Sequence, residues 1–242
     1  MTARLMTHMV CAYPNFPESE NIFKILDKKS KYIEIQFPFS DPIADGPVIE
    51  KANKIALENG ATTDKCFDFV KSSIKNASSK IFIMTYYNIV FNYGVEKFVK
   101  KAKEIWVYGF IIPDVPFDEE DGKKIRQICK ENNIIFTEIV SPSTTKERLE
   151  KIASLNPGLV YAISKNMTTG SKSSFDEEFQ NYISNLKAIF SCEIWVGFGV
   201  KTKDDVEKVN KYADFAIIWS EFLKKYNFWG LKELEKYLES LE

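Results

Sequence analysis

Eight short apolar runs recur along the chain, at 5–12, 32–37, 81–86, 106–112, 134–140, 159–163, 194–197 and 215–218. They are rich in β-branched and aromatic residues, as strands buried in a parallel sheet should be. Between them lie charged segments with helical periodicity, at 18–27, 64–73, 95–103, 119–131, 146–154, 175–189 and 204–211, with a last one at 231–241. Thr63-Asp64, Thr144-Thr145 and Thr202 supply side-chain oxygens where three of these helices begin.

Strands alternating with helices call for a parallel sheet with right-handed crossovers, and eight strands close a barrel filled by its own side chains. A doubly wound open sheet is the rival, but no GxGxxG follows the first strand. The chain therefore reads as one α/β domain over residues 1–242, a (β/α)8 TIM barrel. The stretch from 37 to 81 is too long for one loop and one helix. An extra helix near 48–59, ending at Gly60, fills it, and further helix is expected near strand eight. An insertion at the C-terminal end of a barrel strand is where active-site loops sit.

Composition narrows the function. Of 242 residues, 45% are hydrophobic, enough for one sizeable core. With 33 basic against 34 acidic residues, the net charge of -1 offers no positive face for nucleic acid. Lys97, Lys100, Lys101 and Lys103 recur at helical spacing and read as a solvated face. Cys11, Cys66, Cys129 and Cys192 are far apart, forming neither a disulfide framework nor a zinc motif, so no metal is expected. No secretory h-region opens the sequence, and no run approaches the roughly 18 apolar residues of a membrane span. A cytoplasmic protein is expected.

The candidate chemistry is concentrated after strand two. If Ile33 and Ile35 face the helices, Glu34 faces the barrel interior. Burial raises a carboxyl group's pKa toward the range where it can give and take protons. A glutamate paired with a neighbouring cation is the alternative. Asp41 and Asp45 follow in a loop stiffened by Pro38, Pro42 and Pro47, although Asp-Pro and Asp-Gly are also ordinary turn formers. Gly197 and Gly199 fit either a tight strand-to-helix turn or a close backbone approach to a phosphate.

The segment Pro38-Phe39-Ser40-Asp41-Pro42-Ile43-Ala44-Asp45-Gly46-Pro47 directly after the Glu34 strand resembles the signature of the tryptophan synthase α subunit family. Further matches follow in order. They are Tyr86 to Gly94 (YxNxxFxxG), Asp114-Val115-Pro116, Tyr161 to Ser164 (YxxS), Thr169-Gly170 and Gly197-Phe198-Gly199. The resemblance runs from about 10 to 220.

It implies cleavage of indole-3-glycerol phosphate into indole and glyceraldehyde 3-phosphate. Glu34 would protonate the departing indole carbon and help deprotonate the glycerol hydroxyl. Asp45 would accept the indole N–H, Tyr161 would position the pair, and Thr169 would hold Asp45 from a mobile loop. Ile49, Met84, Ile111 and Phe198 match indole-pocket positions, while Gly170, Phe198, Gly199, Trp219 and Ser220 match phosphate contacts. Asp41 and Pro42 would face a β subunit, which would carry pyridoxal phosphate in an α2β2 heterotetramer. The α chain itself would need no cofactor.

The chain departs from the family at four places. Trp219 stands where glycine is usual, Gln36 replaces a glycine two residues after Glu34, Lys165 replaces an arginine, and the single histidine, His8, takes an aromatic position. Trp219 is expected to reshape the phosphate cradle and Gln36 to alter the hydrogen bonding of Glu34, while His8 reads as packed rather than catalytic. Trp219 and Gln36 keep a second reading open, a degenerate partner that activates a β subunit without cleaving substrate. A third, a sugar-phosphate isomerase, fits the Glu34/Asp45 loop poorly.

Overall fold

The chain is described by a computed structural model covering residues 4–163, 177–197 and 199–241. Its elements are β1 (Leu5–Val10), α1 (Phe16–Asp27), β2 (Tyr32–Gln36), α2 (Pro47–Glu58), α3 (Thr63–Ile74), β3 (Lys80–Met84), α4 (Tyr87–Tyr93), α5 (Val95–Glu104), β4 (Gly109–Ile111), α6 (Glu120–Glu131), β5 (Ile135–Val140), α7 (Lys146–Ser154), β6 (Leu159–Ile163), α8 (described over Glu177–Ile189), β7 (Glu193–Gly197), α9 (Lys203–Tyr212), β8 (Phe215–Ile218) and α10 (Ser220–Glu239). Neighbouring strands are all parallel, and β1 pairs with both β2 and β8, which closes the barrel. The expected (β/α)8 barrel is the observed one, and the extra helix after β2 is α2.

Strand alternation sorts side chains into two cores. Outward residues such as Ile33, Ile35, Ile81 and Ile83 join a shell with the helices, while Met6, Tyr32, Phe82, Met84, Ile111, Tyr161, Trp195, Phe215 and Ile217 fill the interior. The lower interior is aromatic: Trp195 packs 4.4 Å from Tyr32 and 5.0 Å from Phe215, centroid to centroid. Lys31 lies 5.0 Å over Phe215 and Lys80 lies 4.2 Å over Tyr108, so the floor is roofed by alkyl-ammonium groups. Gly109 is an inward position whose missing Cβ leaves room for the Phe82 ring. The buried polar side chains Glu34, Gln36 and His8 lie higher up, and that sets where chemistry can occur.

Helix starts follow local capping. Thr145 and Thr202 accept from the backbone N–H groups of Arg148 and Asp205, and Thr202 forms a full capping box. The cap of α3 is Thr62, one residue before the expected Thr63. Helix α4 is absent from the sequence reading. Its residues are aromatic, β-branched or asparagine, no side chain caps it, and Gly94 at φ 89° ends it after seven residues. Instead, Asp114, just beyond β4, accepts the Tyr87 backbone N–H at 2.8 Å and anchors its start. The final helix begins at Ser220 rather than 231, and two helical pieces meet at Gly230, whose φ of 73° breaks the hydrogen-bond ladder.

Candidate active site

The inward face of β2 reads Tyr32, Glu34, Gln36 from floor to mouth, because side chains two apart on a strand share a face. Glu34 is fully buried. No cation pairs with it among the described residues; its Oε2 instead accepts the indole N–H of Trp219 at 3.0 Å. Burial pushes Glu34 up to about 8; the Trp219 hydrogen bond opposes this, and the charge of Asp45 adds to it. At neutral pH Glu34 is therefore mostly protonated.

Asp45 reaches the same region from the loop between β2 and α2. Gln36 Nε2 donates to its Oδ2 at 2.6 Å, and Asn53 Nδ2 donates to the same oxygen at 3.2 Å. Asn53 lies on the buried face of α2 and also binds the Ile49 carbonyl, so helix and strand grip the aspartate together. Burial raises Asp45 to about 6, against the pull of Gln36, Tyr86 and Asn53. It is the more acidic of the two carboxyl groups and carries charge at neutral pH. Tyr86 also accepts the Ala44 backbone N–H at 3.1 Å and so pins the loop beside Asp45.

His8, beside Glu34 in the β1–β2 register, bonds Gln36 Oε1 through Nε2 at 2.8 Å. Since the Gln36 amide nitrogen faces Asp45, its oxygen faces His8, which fixes the proton on His8 Nε2. Burial lowers His8 to about 4, so it is neutral and packed, with its ring 5.0 Å from that of Trp219. Contrary to the expectation from the sequence, Gln36 makes no hydrogen bond to Glu34. It serves Asp45, because the strand carries its amide one layer nearer the mouth.

Tyr161 projects from β6 toward Glu34, whose charge, after burial, raises the phenol's pKa. A Cβ on Gly197 would collide with the Tyr161 hydroxyl, so this glycine clears the ring's path rather than making a turn. Four buried polar atoms here have no partner among the described residues: Glu34 Oε1, Asp45 Oδ1, Tyr161 Oη and His8 Nδ1. Unpaired polar atoms are costly in a core, and a cluster of them marks a place where a polar ligand would be held.

Met84 and Ile111 line the same interior, whereas Ile49 packs in the outer shell under α2. Gly199 adopts φ 77°, and Ser220 opens α10, so the ends of β7 and β8 present backbone where an anion would sit. Trp219 does not enter that cradle with its side chain; the indole turns into the barrel mouth. Asp41 and Pro42 lie outside, along a surface cavity of about 740 Å3 beside α2, with Ile43 82% exposed next to them. Thr169, Gly170, Lys165 and Phe198 fall outside the described residues. Among those described, no cluster of three or more His, Cys, Asp or Glu side chains could hold a metal ion.

A family model described as tryptophan synthase alpha chain matches residues 1–240. The chain belongs to the tryptophan synthase α chain family. A tryptophan synthase alpha chain of Desulfotalea psychrophila is 37% identical over 98% of this chain and 93% of that protein. One from Staphylococcus aureus is 34% identical over 92% of this chain and 91% of its own length. Among solved structures, the tryptophan synthase alpha subunit of Campylobacter jejuni superposes with a TM-score of 0.88 at 31% identity, covering 100% of this chain and 96% of that one. A mutant alpha subunit from Pyrococcus furiosus gives 0.88 at 30%, covering 99% and 97%. Within this α-chain family, the residues that sequence reasoning underrated are His8, Gln36 and Asn53. The signal for Asn53 was available, as an amide one turn after Ile49 on the buried side of an amphipathic helix.

Proposed function

We propose that this chain is a lyase of tryptophan synthesis that splits indole-3-glycerol phosphate into indole and glyceraldehyde 3-phosphate. The observation that carries the reading is the pairing of a buried, mostly protonated Glu34 with an ionised, amide-held Asp45 at one barrel mouth. Glu34 gives its proton to the ring carbon bearing the glycerol chain, and the ring nitrogen takes up the positive charge. Asp45 accepts the N–H and stabilises that charge. As the carbon–carbon bond breaks, its electron pair returns to the ring. The hydroxyl proton of the glycerol carbon passes to the Glu34 carboxylate, leaving an aldehyde and restoring the acid. Tyr161 steadies Glu34, and Thr169 holds Asp45 from its loop. Met84, Ile111 and Phe198 form the apolar walls, and backbone at Gly170, Phe198, Gly199, Trp219 and Ser220 receives the phosphate.

The surface around Asp41 and Pro42, with exposed Ile43, faces a β subunit in an α2β2 assembly, and the pyridoxal phosphate resides in that partner. The protein works in the cytoplasm. The degenerate-partner reading drew on Trp219 and Gln36, but both bond to the acid pair and leave its free oxygens exposed to the interior. Mixing the chain with a cognate β subunit and indole-3-glycerol phosphate tests the proposal. Glyceraldehyde 3-phosphate from the parent and none from Glu34→Gln supports it. Stimulated β activity without product from either chain overturns it.

A further inference from the structure

Trp219 follows β8 on its inward face, two residues after Ile217 and one before α10. Its ring lies between His8, 5.0 Å away, and Tyr161, met edge-on at 6.4 Å. Among the described residues, the indole N–H is the one hydrogen-bond donor that Glu34 receives, and it goes to Oε2 alone.

We propose that Trp219 is a positioning residue for Glu34, its N–H fixing Oε2 so that Oε1 is the oxygen presented to the substrate carbon. This rests on the reading of Glu34 as the proton donor. A carboxyl group free to rotate would divide its proton between two oxygens; one held oxygen selects the other. The same bond strengthens when Glu34 becomes charged, because a donor to an ionised acceptor is worth more than one to a neutral acid. It therefore eases release of the proton, against the burial that holds it on. No other described neighbour supplies this. His8 on β1 is neutral and hydrogen-bonded to Gln36; the Tyr161 hydroxyl on β6 makes no hydrogen bond to Glu34; Asp45, from the loop after β2, repels the charge; Phe82 and Met84 on β3 are apolar.

The test is a titration of Glu34 in the full chain carrying 13C-labelled glutamate carboxyls, with Glu34→Gln identifying the signal. Trp219→Phe keeps a ring and removes the donor. Its Glu34 midpoint should rise by about one pH unit, and the alkaline limb of kcat should move up with it while KM changes little. Trp219→Gln, which restores an N–H, should bring the midpoint part of the way back. An unmoved midpoint in Trp219→Phe overturns the proposal. If neither variant folds, the 15N-bound indole proton of Trp219 in the parent decides: its shift should follow the Glu34 titration and lose that transition in Glu34→Gln. A pH-independent shift contradicts the assignment. Persistent cleavage by Glu34→Gln would instead sink the catalytic reading of Glu34, while the titration would still report on the Trp219 contact.

Discussion

Gln36 Nε2 donates to Asp45 Oδ2 at 2.6 Å, so the aspartate that would face the indole nitrogen is held by a side chain of the strand that carries the acid. Because the other end of the same amide accepts from His8, the bond has a fixed direction. Strand, loop and helix α2 are locked together before any substrate arrives.

Gln36→Leu should therefore do more than remove one contact. It leaves the His8 N–H and one lone pair of Asp45 unpaired in a buried place, at a cost of about 1–3 kcal/mol. Urea denaturation should show the loss, and the Asp45 midpoint should move above its present value near 6.

Stability should fall as pH rises through the range set by Glu34. Its folded value of about 8 stands above the ordinary 4.5, so between them the native state keeps a proton that the unfolded chain has released. Asp45 acts in the same direction between 3.8 and about 6. His8, depressed to about 4 from 6.5, acts oppositely and removes stability as pH drops through that window. Glu34→Gln should lack this loss, which in the parent amounts to roughly 5 kcal/mol across the whole window. Thermal or urea melts of both chains across pH 5–9 check this; parallel curves would contradict the buried-acid account.

Gly197→Ala tests how tightly Tyr161 is placed. The new methyl would occupy the position of the Tyr161 hydroxyl, so the ring must move. Turnover should fall by roughly a hundred-fold, as expected when a positioned group shifts by about an ångström. Stability should drop by about 1–3 kcal/mol through overpacking. Steady-state kinetics and a melt separate the two effects.

Much of this architecture was legible in the chain because period-two alternation is a local property. It put Glu34 inside from Ile33 and Ile35 alone, and the boundaries of β6 and β8 match their apolar runs. The same rule would have turned Trp219 inward with Phe215 and Ile217. What it could not supply is the partner. Glu34 is 185 residues away and meets Trp219 only because the barrel closes. The role of Gln36 was misjudged for a similar reason. Its nearest polar neighbour in sequence, Glu34, lies one layer below, whereas Asp45 arrives through a loop whose path depends on Tyr86 and Asn53. Helix α4 carries no pattern of its own and relies on Asp114 from the next strand's loop.

The most direct test of Glu34 as the group that moves a proton at carbon is exchange of the C3 hydrogen of indole in D2O, with glyceraldehyde 3-phosphate present. By microscopic reversibility the acid that protonates this carbon in cleavage also exchanges its hydrogen. The parent should incorporate deuterium at C3, and Glu34→Gln should do so roughly a thousand-fold more slowly. Equal rates from the two chains would contradict the account.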